Sequence, residues 1–246
     1  MLNEKDINYF NYGKVENIKF WKRLGGKPNL NNKSILDFGC GHGSLCIDMA
    51  NSGPKSIDGI DLDESLLNFA KLNLEKNFNQ YKNLIRFYKK DLIKDNFDQQ
   101  FDLIVSKDTF EHTIDLPKIL EKFQSLLKKG GKAYIGFGPL YNFYNGDHGG
   151  TQLRFPWMHV ILSDKFIIRR FNKNNKEQIR QIEDLGLSKY SFAEYEKIFK
   201  FSDLEIEFYI TNQSDNPISI IFNLLSKISF LREYCTYNIY CILKKN

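Results

Sequence analysis

The sequence predicts an α/β protein whose central sheet is mostly parallel and carries helices on both faces. Between residues 34 and 137, short runs of β-branched and aromatic residues alternate with segments of helical periodicity. Of the 246 residues, 42% are hydrophobic and 26% are charged, which is the balance of a globular protein with a substantial core. Because domains usually span about 100–200 residues, this length favours one domain with an insertion.

Five strands and three helices are predicted within residues 34–137. The strands cover residues 34–38, 56–60, 85–88, 101–106 and 132–137. One helix covers residues 44–51, a second has its apolar face between residues 66 and 74, and a third covers residues 116–127. Asp115 is the predicted N-cap of the third helix, and Gly130 is predicted to lie just beyond its end. Ligands bind at the carboxyl ends of parallel strands, so functional residues are expected there.

The segments that flank this core have separate characters. Residues 1–33 predict a helical cap rich in aromatic residues, which either closes a ligand site or packs against the sheet. Residues 138–190 form a long connection that contains aromatic residues, glycines and two histidines. Connections of this length are usually functional or disordered, and the aromatic content favours a substrate lid. We call residues 138–190 the lid.

The C-terminal segment, residues 191–246, predicts a short helix followed by a pair of strands. A capping box, Ser191 with Glu194, opens the helix at residues 191–199, and the strands cover residues 204–211 and 236–243. An apolar helix lies between these strands, with a stripe at Ile218, Ile221, Phe222, Leu225 and Ile228. The stripe predicts a core-facing helix, with attachment to a membrane surface as the alternative.

Several classes of protein are disfavoured by composition. The net charge is +5 and the lysines are scattered, so nucleic acid is not an expected partner. The four cysteines, Cys40, Cys46, Cys235 and Cys241, lack the spacing of a zinc site or a disulfide scaffold. The first ten residues carry charges where a leader peptide would be apolar, and no apolar run is long enough to span a membrane. We therefore expect a cytoplasmic protein.

The most informative segment is a glycine-rich turn at residues 37–43, between the first strand and the first helix of the core. Gly39, Gly41 and Gly43 allow positive φ angles and let a ligand approach the backbone closely. The dinucleotide fingerprint would require a glycine where Ser44 stands, which argues against an oxidoreductase. Asp61 ends the next strand, where a carboxylate can accept hydrogen bonds from both hydroxyls of a ribose.

A second acid, Asp91, follows the third strand, and the run Phe110-Glu111-His112 follows the fourth. With these features, residues 34–137 resemble the class I S-adenosylmethionine-dependent methyltransferases, in particular the small-molecule (type 11) group. The resemblance implies a Rossmann-like fold, with a seven-stranded, mostly parallel sheet whose last strand is antiparallel. It also implies S-adenosyl-L-methionine as the cofactor and S-adenosyl-L-homocysteine as its product. Phe110 stands where the family commonly has leucine, a mild departure.

The resemblance also implies a set of cofactor-binding residues. Asp37 and the glycine turn would hold the methionine portion, Asp61 the ribose, and Asp91 the adenine amino group. The full predicted set is Asp37, Gly39, Gly41, Gly43, Asp61, Leu62, Asp91, Leu92, Lys107 and His112.

Histidines are the candidates for catalysis. Methyl transfer by in-line displacement requires alignment, and often a base that removes the acceptor's proton. His42 and His112 belong to segments assigned to the cofactor, which leaves His148 and His159 in the lid as the catalytic candidates. No metal is expected, because Asp147, His148 and His159 match no metal-ligand spacing. Four aromatic residues of the lid either cover the acceptor or pack with one another: Tyr141, Phe143, Tyr144 and Trp157.

The predicted function is transfer of a methyl group from S-adenosylmethionine to an oxygen or nitrogen atom of a small molecule. A non-catalytic cofactor-binding or partner subunit of a methylating complex stays open, as does a protein or RNA methyltransferase. No motif identifies the acceptor, because this fold accommodates many acceptors through its variable lid.

Overall fold

The computed structural model describes residues 2–246, which are organised around a seven-stranded sheet. Its strands are β1 (Ser34–Phe38), β2 (Ser56–Asp61), β3 (Ile85–Lys89), β4 (Phe101–Lys107), β5 (Leu127–Phe137), β6 (Glu205–Thr211) and β7 (Ile239–Lys244). They are ordered β3-β2-β1-β4-β5-β7-β6. Strand β7 is antiparallel to both of its neighbours, and the other six strands share one direction. The predicted sheet is confirmed.

Helices cover both faces of the sheet. They are α1 (Glu4–Arg23), α2 (Ser44–Ala50), α3 (Glu64–Asn77), α4 (Leu116–Leu126), α5 (Met158–Ile161), α6 (Asp164–Asn174), α7 (Phe192–Lys200), α8 (Ile218–Leu225) and α9 (Ser229–Cys235). Neighbouring residues of the central strands alternate between two cores: Ile35 and Val105 belong to one, Leu36 and Ile104 to the other. The first core includes residues of α1, α2 and α3, and the second includes residues of α4 and α7. Burial on both faces explains why these strands read as unbroken apolar runs.

The helix boundaries follow their predicted caps, with one exception. Ser191 and Glu194 form the predicted capping box at the start of α7, and the Asp115 side chain caps α4. The prediction that Gly130 follows the end of α4 is wrong, because α4 ends at Leu126 and the chain enters β5 at Leu127. Leu127 is fully buried and pairs with Phe101 of β4, so burial draws the chain directly into the sheet.

The lid is a folded segment. It contains α5, α6 and a short 3₁₀ helix at Ile182–Leu185. Its own small core consists of Tyr141, Ile167, Ile182 and Leu187. The lid therefore has a packed interior beside the main sheet, which gives it a defined shape above the strand ends.

The prediction that α8 faces the core is wrong. Of the predicted stripe, Ile218, Ile221 and Ile228 are exposed, whereas Phe222 and Leu225 are partly buried. Phe222 packs against two aromatic residues of the lid, with ring centroids 4.8 Å from Phe143 and 5.9 Å from Tyr144. Helix α8 thus contacts the lid and turns most of its apolar side outward. In the part of the chain that the structure describes, no helix is both long and apolar enough to cross a bilayer.

This orientation of α8 can be tested by comparing two isoleucines. Ile221 is 57% exposed on α8, whereas Ile135 of β5 is fully buried. We expect Ile221→Ala to change the free energy of unfolding by less than about 0.5 kcal/mol. The matched variant Ile135→Ala should lose about 2–5 kcal/mol, because it leaves a cavity in the core. Urea denaturation measures both, and a comparable loss in the two variants would show that α8 buries its apolar face.

Candidate active site

The glycine turn connects β1 to α2, and each of its three glycines has a left-handed backbone. Their φ angles are 77° at Gly39, 48° at Gly41 and 76° at Gly43. A Cβ atom at Gly39 would collide with the Thr109 side chain, and one at Gly43 would lie 2.7 Å from Cζ of Phe87. At Gly41 the nearest atom would be 3.9 Å away, so the middle glycine borders open space. The outer two glycines permit packing, and the middle one leaves room for a ligand beside the backbone.

Asp61 ties the glycine turn to the end of β2. Its Oδ2 accepts a hydrogen bond from the Gly41 N–H at 2.8 Å, and its Oδ1 accepts one from the Asp63 N–H at 2.9 Å. A carboxylate has about four acceptor sites, so both oxygens retain capacity for further donors. The next side chain, Leu62, is 65% exposed and provides an apolar surface beside this carboxylate. The arrangement suits a ribose with an adjacent flat base.

Two further predicted residues follow β3. Asp91 accepts a hydrogen bond from the Ile93 N–H at 2.9 Å. Although partial burial raises the pKa of Asp91, hydrogen bonds from the backbone of Ile93 and Lys94 lower it overall. The Leu92 side chain is buried in the core on the α4 side of the sheet, so its backbone is the part that can face a ligand.

Asp37 lies at the end of β1, beneath the glycine turn. The Cys46 thiol donates a hydrogen bond to Asp37 Oδ2 at 3.1 Å, and burial raises the pKa of Asp37 from 3.8 to about 6. Lys107 favours the ionised form of Asp37, but its Nζ donates to Asn17 Oδ1 of α1 at 2.8 Å. Lys107 is therefore hydrogen-bonded to α1. Asp37 is a buried carboxyl group, and a positive charge placed beside it would favour its ionised form.

Helix α1 lies across the glycine turn as well as against the sheet. Phe10, Phe20 and Trp21 are buried in the core, as expected if the N-terminal helix packs against the sheet. The Tyr9 ring lies 4.7 Å from the His42 ring, between centroids, and so covers the turn. At Gly13, a Cβ atom would lie 2.5 Å from the Ser44 Oγ at the start of α2, so α1 approaches the turn closely.

Glu111 occupies the turn after β4 and is 3% exposed. Its Oε1 accepts a hydrogen bond from the Gly138 N–H at 3.3 Å, and its Oε2 is a buried atom with no hydrogen-bond partner among the described residues. Burial, followed by the charge of the nearby Asp108, raises the pKa of Glu111 well above its usual range. The phenol of Tyr9 also lies near these acids, which together with burial raise its pKa.

His112 and His148 meet beside Glu111, with ring centroids 5.1 Å apart. His112 Nδ1 is 2.6 Å from the Gly186 carbonyl oxygen, and His148 Nε2 is 3.2 Å from the Pro139 carbonyl oxygen. A carbonyl oxygen only accepts hydrogen bonds, so each of these nitrogens donates its N–H. In the neutral form of each ring, the other nitrogen carries a free lone pair.

The His148 side chain is exposed in part. Desolvation by the protein around the rest of the ring, followed by the nearby His112, lowers the pKa of His148. This keeps the imidazole neutral at physiological pH.

His159 has a different environment. It is 3% exposed, and its Nε2 donates a hydrogen bond to the Tyr141 carbonyl oxygen at 2.6 Å. Its Nδ1 lies 3.9 Å from Oδ1 of Asp147. Three of the predicted lid aromatics pack with one another, since Tyr144 contacts both Phe143 and Trp157. The structure thus places His159 inside the lid and His148 at its edge.

The sequence prediction missed Asp108 and Glu111 as site residues. The resemblance implies that residues 106–112 line the cofactor pocket, with Lys107 and His112 as the binding residues of that segment. A signal was present, because two acids three residues apart are followed directly by a histidine. In a turn after a strand, residues spaced in this way can point to the same side.

Comparisons with known proteins agree with this geometry. Residues 29–137 match the family model described as a methyltransferase domain. A phosphoethanolamine N-methyltransferase of Zea mays is 35% identical over 129 residues, which cover 52% of this chain and 24% of that protein. A ubiquinone biosynthesis O-methyltransferase of Coxiella burnetii is 33% identical over 117 residues, which cover 46% of this chain and 47% of that protein. The chain thus spans about half or less of the length of these curated relatives.

The solved structures extend the likeness in fold to most of the chain. A S-adenosylmethionine dependent methyltransferase from Mesorhizobium loti superposes with a TM-score of 0.61, at 16% sequence identity. The match covers 92% of this chain and 97% of that one. Residues 29–137 therefore match a methyltransferase domain, and the chain shares the fold of the solved methyltransferase structure.

Proposed function

We propose that the protein is an enzyme that transfers a methyl group from S-adenosyl-L-methionine to an oxygen or nitrogen atom of a small molecule. The observation that carries this proposal is the open position at Gly41 beside the Asp61 carboxylate. It lies at the carboxyl ends of β1 and β2, where parallel α/β sheets bind their ligands. The family match and the relatives named above support the same chemistry.

The residues of the turn and the strand ends fit this cofactor. Asp61 would accept hydrogen bonds from the ribose hydroxyls, Leu62 and Asp91 would contact the adenine, and Asp37 would face the methionine portion. When bound, S-adenosylmethionine supplies a methyl group on a positively charged sulfur, and the C–S bond breaks as the new bond to the acceptor forms. The cofactor residues hold and align this group, which is a large part of catalysis for an in-line displacement.

His148 is the residue that we assign to the acceptor's proton. The Pro139 carbonyl holds its Nε2–H, so Nδ1 carries the lone pair that can accept a proton. The lowered pKa keeps this nitrogen unprotonated before the reaction. His159 is bonded to the Tyr141 backbone within the lid, so we assign it a positioning role there.

A small-molecule acceptor fits the folded lid better than a macromolecule does. The lid has its own core, and Gly186 near its end bonds to His112 at the strand ends. A packed cover of this kind excludes water and encloses a limited volume, which suits a metabolite. Protein or RNA substrates would require an open surface at the same place.

Two measurements test the proposed function. Calorimetry with S-adenosylhomocysteine should show binding to the purified chain, and labelled S-adenosylmethionine should transfer its methyl group to a component of a metabolite extract. Failure to bind either cofactor form would refute the proposal. Binding without transfer to any small molecule would favour the non-catalytic subunit instead.

Cofactor affinity is expected to rise with pH up to about 6 and then level off. Burial raises the pKa of Asp37 to about 6, and the ammonium group of the methionine portion favours the ionised carboxylate. Below that pKa, binding must displace a proton, so the affinity falls by up to about tenfold per pH unit. Calorimetry with S-adenosylhomocysteine between pH 5 and 8 measures this dependence.

The variant Asp37→Asn is the control for this pH dependence. It cannot ionise at this position, so its affinity should be weaker overall and much flatter over the same pH range. If the affinity of Asp37→Asn still depends steeply on pH, the titrating group is a residue other than Asp37. A flat profile in the unmodified protein would contradict the prediction.

A further inference from the structure

We propose that Glu111, His112 and His148 bind a divalent transition-metal cation that holds and activates the acceptor. We call these three residues the Glu–His–His cluster. This inference rests on the proposed function for its chemistry, whereas the binding of the cation is an independent property of the three side chains.

The spacing of the three side chains supports the proposal. One potential ligand atom from each of them lies within 4.8 Å of the other two. Around a tetrahedral cation with bonds of about 2.0–2.2 Å, ligand atoms lie about 3–3.5 Å apart. Small rotations of side chains would therefore close the cluster around an ion.

The hydrogen bonds behind the histidines support it further. Metal-binding histidines typically donate their second ring N–H to a carbonyl or carboxylate, which fixes the tautomer and orients the ring. His112 does this through Nδ1 to Gly186, and His148 through Nε2 to Pro139. Both rings are held from behind by acceptors that cannot donate. The remaining nitrogens, Nε2 of His112 and Nδ1 of His148, are the ones that we assign to the cation.

Glu111 provides the second, independent observation. Its carboxyl group is 3% exposed, and Oε2 has no hydrogen-bond partner among residues 2–246. A buried carboxyl oxygen with no hydrogen-bond partner is costly, because it loses its hydration without compensation. Its Oε1 is held by the Gly138 N–H, so the carboxyl group is oriented while one oxygen lacks a partner. A cation at the cluster would satisfy this oxygen.

The donor set indicates the class of cation. Two imidazole nitrogens and one carboxylate oxygen suit Zn²⁺, Fe²⁺, Co²⁺ and Mn²⁺ better than Ca²⁺, which prefers oxygen ligands throughout. Sites with three protein ligands commonly keep an open coordination position for water or substrate. Glu111 and His112 belong to the turn after β4, whereas His148 belongs to the lid. The cation would therefore join the lid to the strand ends.

The open position indicates the class of acceptor. A hydroxyl oxygen bound to a divalent cation loses its proton more readily, so it becomes a nucleophile near neutral pH. The proton leaves to solvent, and the resulting oxygen anion attacks the methyl group. We therefore infer that the acceptor is an alcohol or a phenol rather than an amine. In this scheme His148 acts on the acceptor through the cation instead of accepting the proton itself.

Cation binding to the full chain tests this proposal directly. Protein freed of metal by a chelator and dialysed is titrated with Co²⁺, while the visible absorption bands of tetrahedral Co²⁺ are recorded. Competition with Zn²⁺ then measures its affinity. We expect one cation per chain, and a loss of affinity of at least about tenfold in His148→Ala and in Glu111→Gln. His159→Asn is the comparison, a lid histidine outside the cluster, and should lose less cation affinity than either of these two variants.

Binding of S-adenosylhomocysteine to each variant separates this proposal from the proposed function. It shows that the variant is folded, and neither His148 nor Glu111, the two cluster residues that are changed, belongs to the predicted cofactor-binding set. If folded protein binds no cation, or binds it equally well after His148→Ala, the cation site is refuted and the methyltransferase proposal stands. If the cation binds but neither cofactor form does, the proposed function fails and the site stands. Methyl transfer that survives complete removal of metal would also overturn the activating role of the cation.

Discussion

Asp61→Ala is expected to weaken S-adenosylhomocysteine binding by about 100-fold or more. A hydrogen bond to a charged group contributes about 1.5–3 kcal/mol, and the proposed site has two of them between the carboxylate and the ribose hydroxyls. Their loss would be worth at least about 3 kcal/mol, since each 1.4 kcal/mol corresponds to a factor of about ten. The variant also removes the acceptor of the Gly41 N–H, so the glycine turn loses part of its support. Isothermal titration calorimetry measures the change.

Asp63→Ala is the matched control, an acid two residues further along the same loop. Asp63 is exposed and caps α3, where its Oδ1 accepts a hydrogen bond from the Ser65 N–H at 2.8 Å. Loss of this cap should cost about 1 kcal/mol of stability, while the affinity for S-adenosylhomocysteine stays nearly unchanged. Equal losses of affinity in the two variants would mean that Asp61 supports the conformation of the loop and does not bind the ribose. Full affinity in Asp61→Ala would show that the ribose does not bind at this position.

His148→Ala is expected to lower kcat by about 10²–10⁴, the range that a positioned acid or base contributes. The residues proposed to contact the cofactor, Asp37, Asp61, Leu62 and Asp91, lie at the ends of β1, β2 and β3, whereas His148 belongs to the lid, so the affinity for S-adenosylhomocysteine should not change. The loss is expected whether His148 accepts the proton directly or binds the proposed cation. The cation titration described above distinguishes these two routes. Kinetics with labelled S-adenosylmethionine and an identified acceptor measure kcat.

His159→Asn gives the comparison within the same lid. His159 is buried and bonded to the backbone of Tyr141, so its replacement should reduce the stability of the lid and raise KM. We expect kcat to fall by less than about tenfold, because a positioning residue does not move the proton. A larger loss of kcat in His159→Asn than in His148→Ala would reverse the two assignments.

The proposed active site is covered on two sides by segments far apart in the sequence. Helix α1 brings Tyr9 over the glycine turn, and the lid brings His148 to Glu111. Neither segment has a counterpart in the matched family region, residues 29–137. The region proposed to hold the cofactor is therefore distinct in sequence from the parts that would select the acceptor. This division is typical of folds that support many substrates.

The alternation of strands and helices was readable in the sequence because it reflects local physical chemistry. Period-2 and helical patterns, the Ser191 capping box and the glycine turn each depend on residues close together in the chain. All seven predicted strands are present, and their ends lie within three residues of the predicted places except at β5, which begins five residues earlier. The glycines were also interpretable, because their left-handed conformations exclude most other residues.

The sequence alone thus determined the parallel sheet, the position of the cofactor turn and the acids that follow β2 and β3. It left open which lid histidine belongs to the site, because the residues adjacent in sequence do not show that His148 meets the Pro139 carbonyl and His159 the Tyr141 carbonyl. The orientation of α8 was also undetermined, since an apolar stripe does not specify which surface covers it. The Glu–His–His cluster emerged only in three dimensions, because folding of the lid joins residues that lie more than thirty positions apart. Contacts of this kind depend on long-range packing, which local periodicity does not encode.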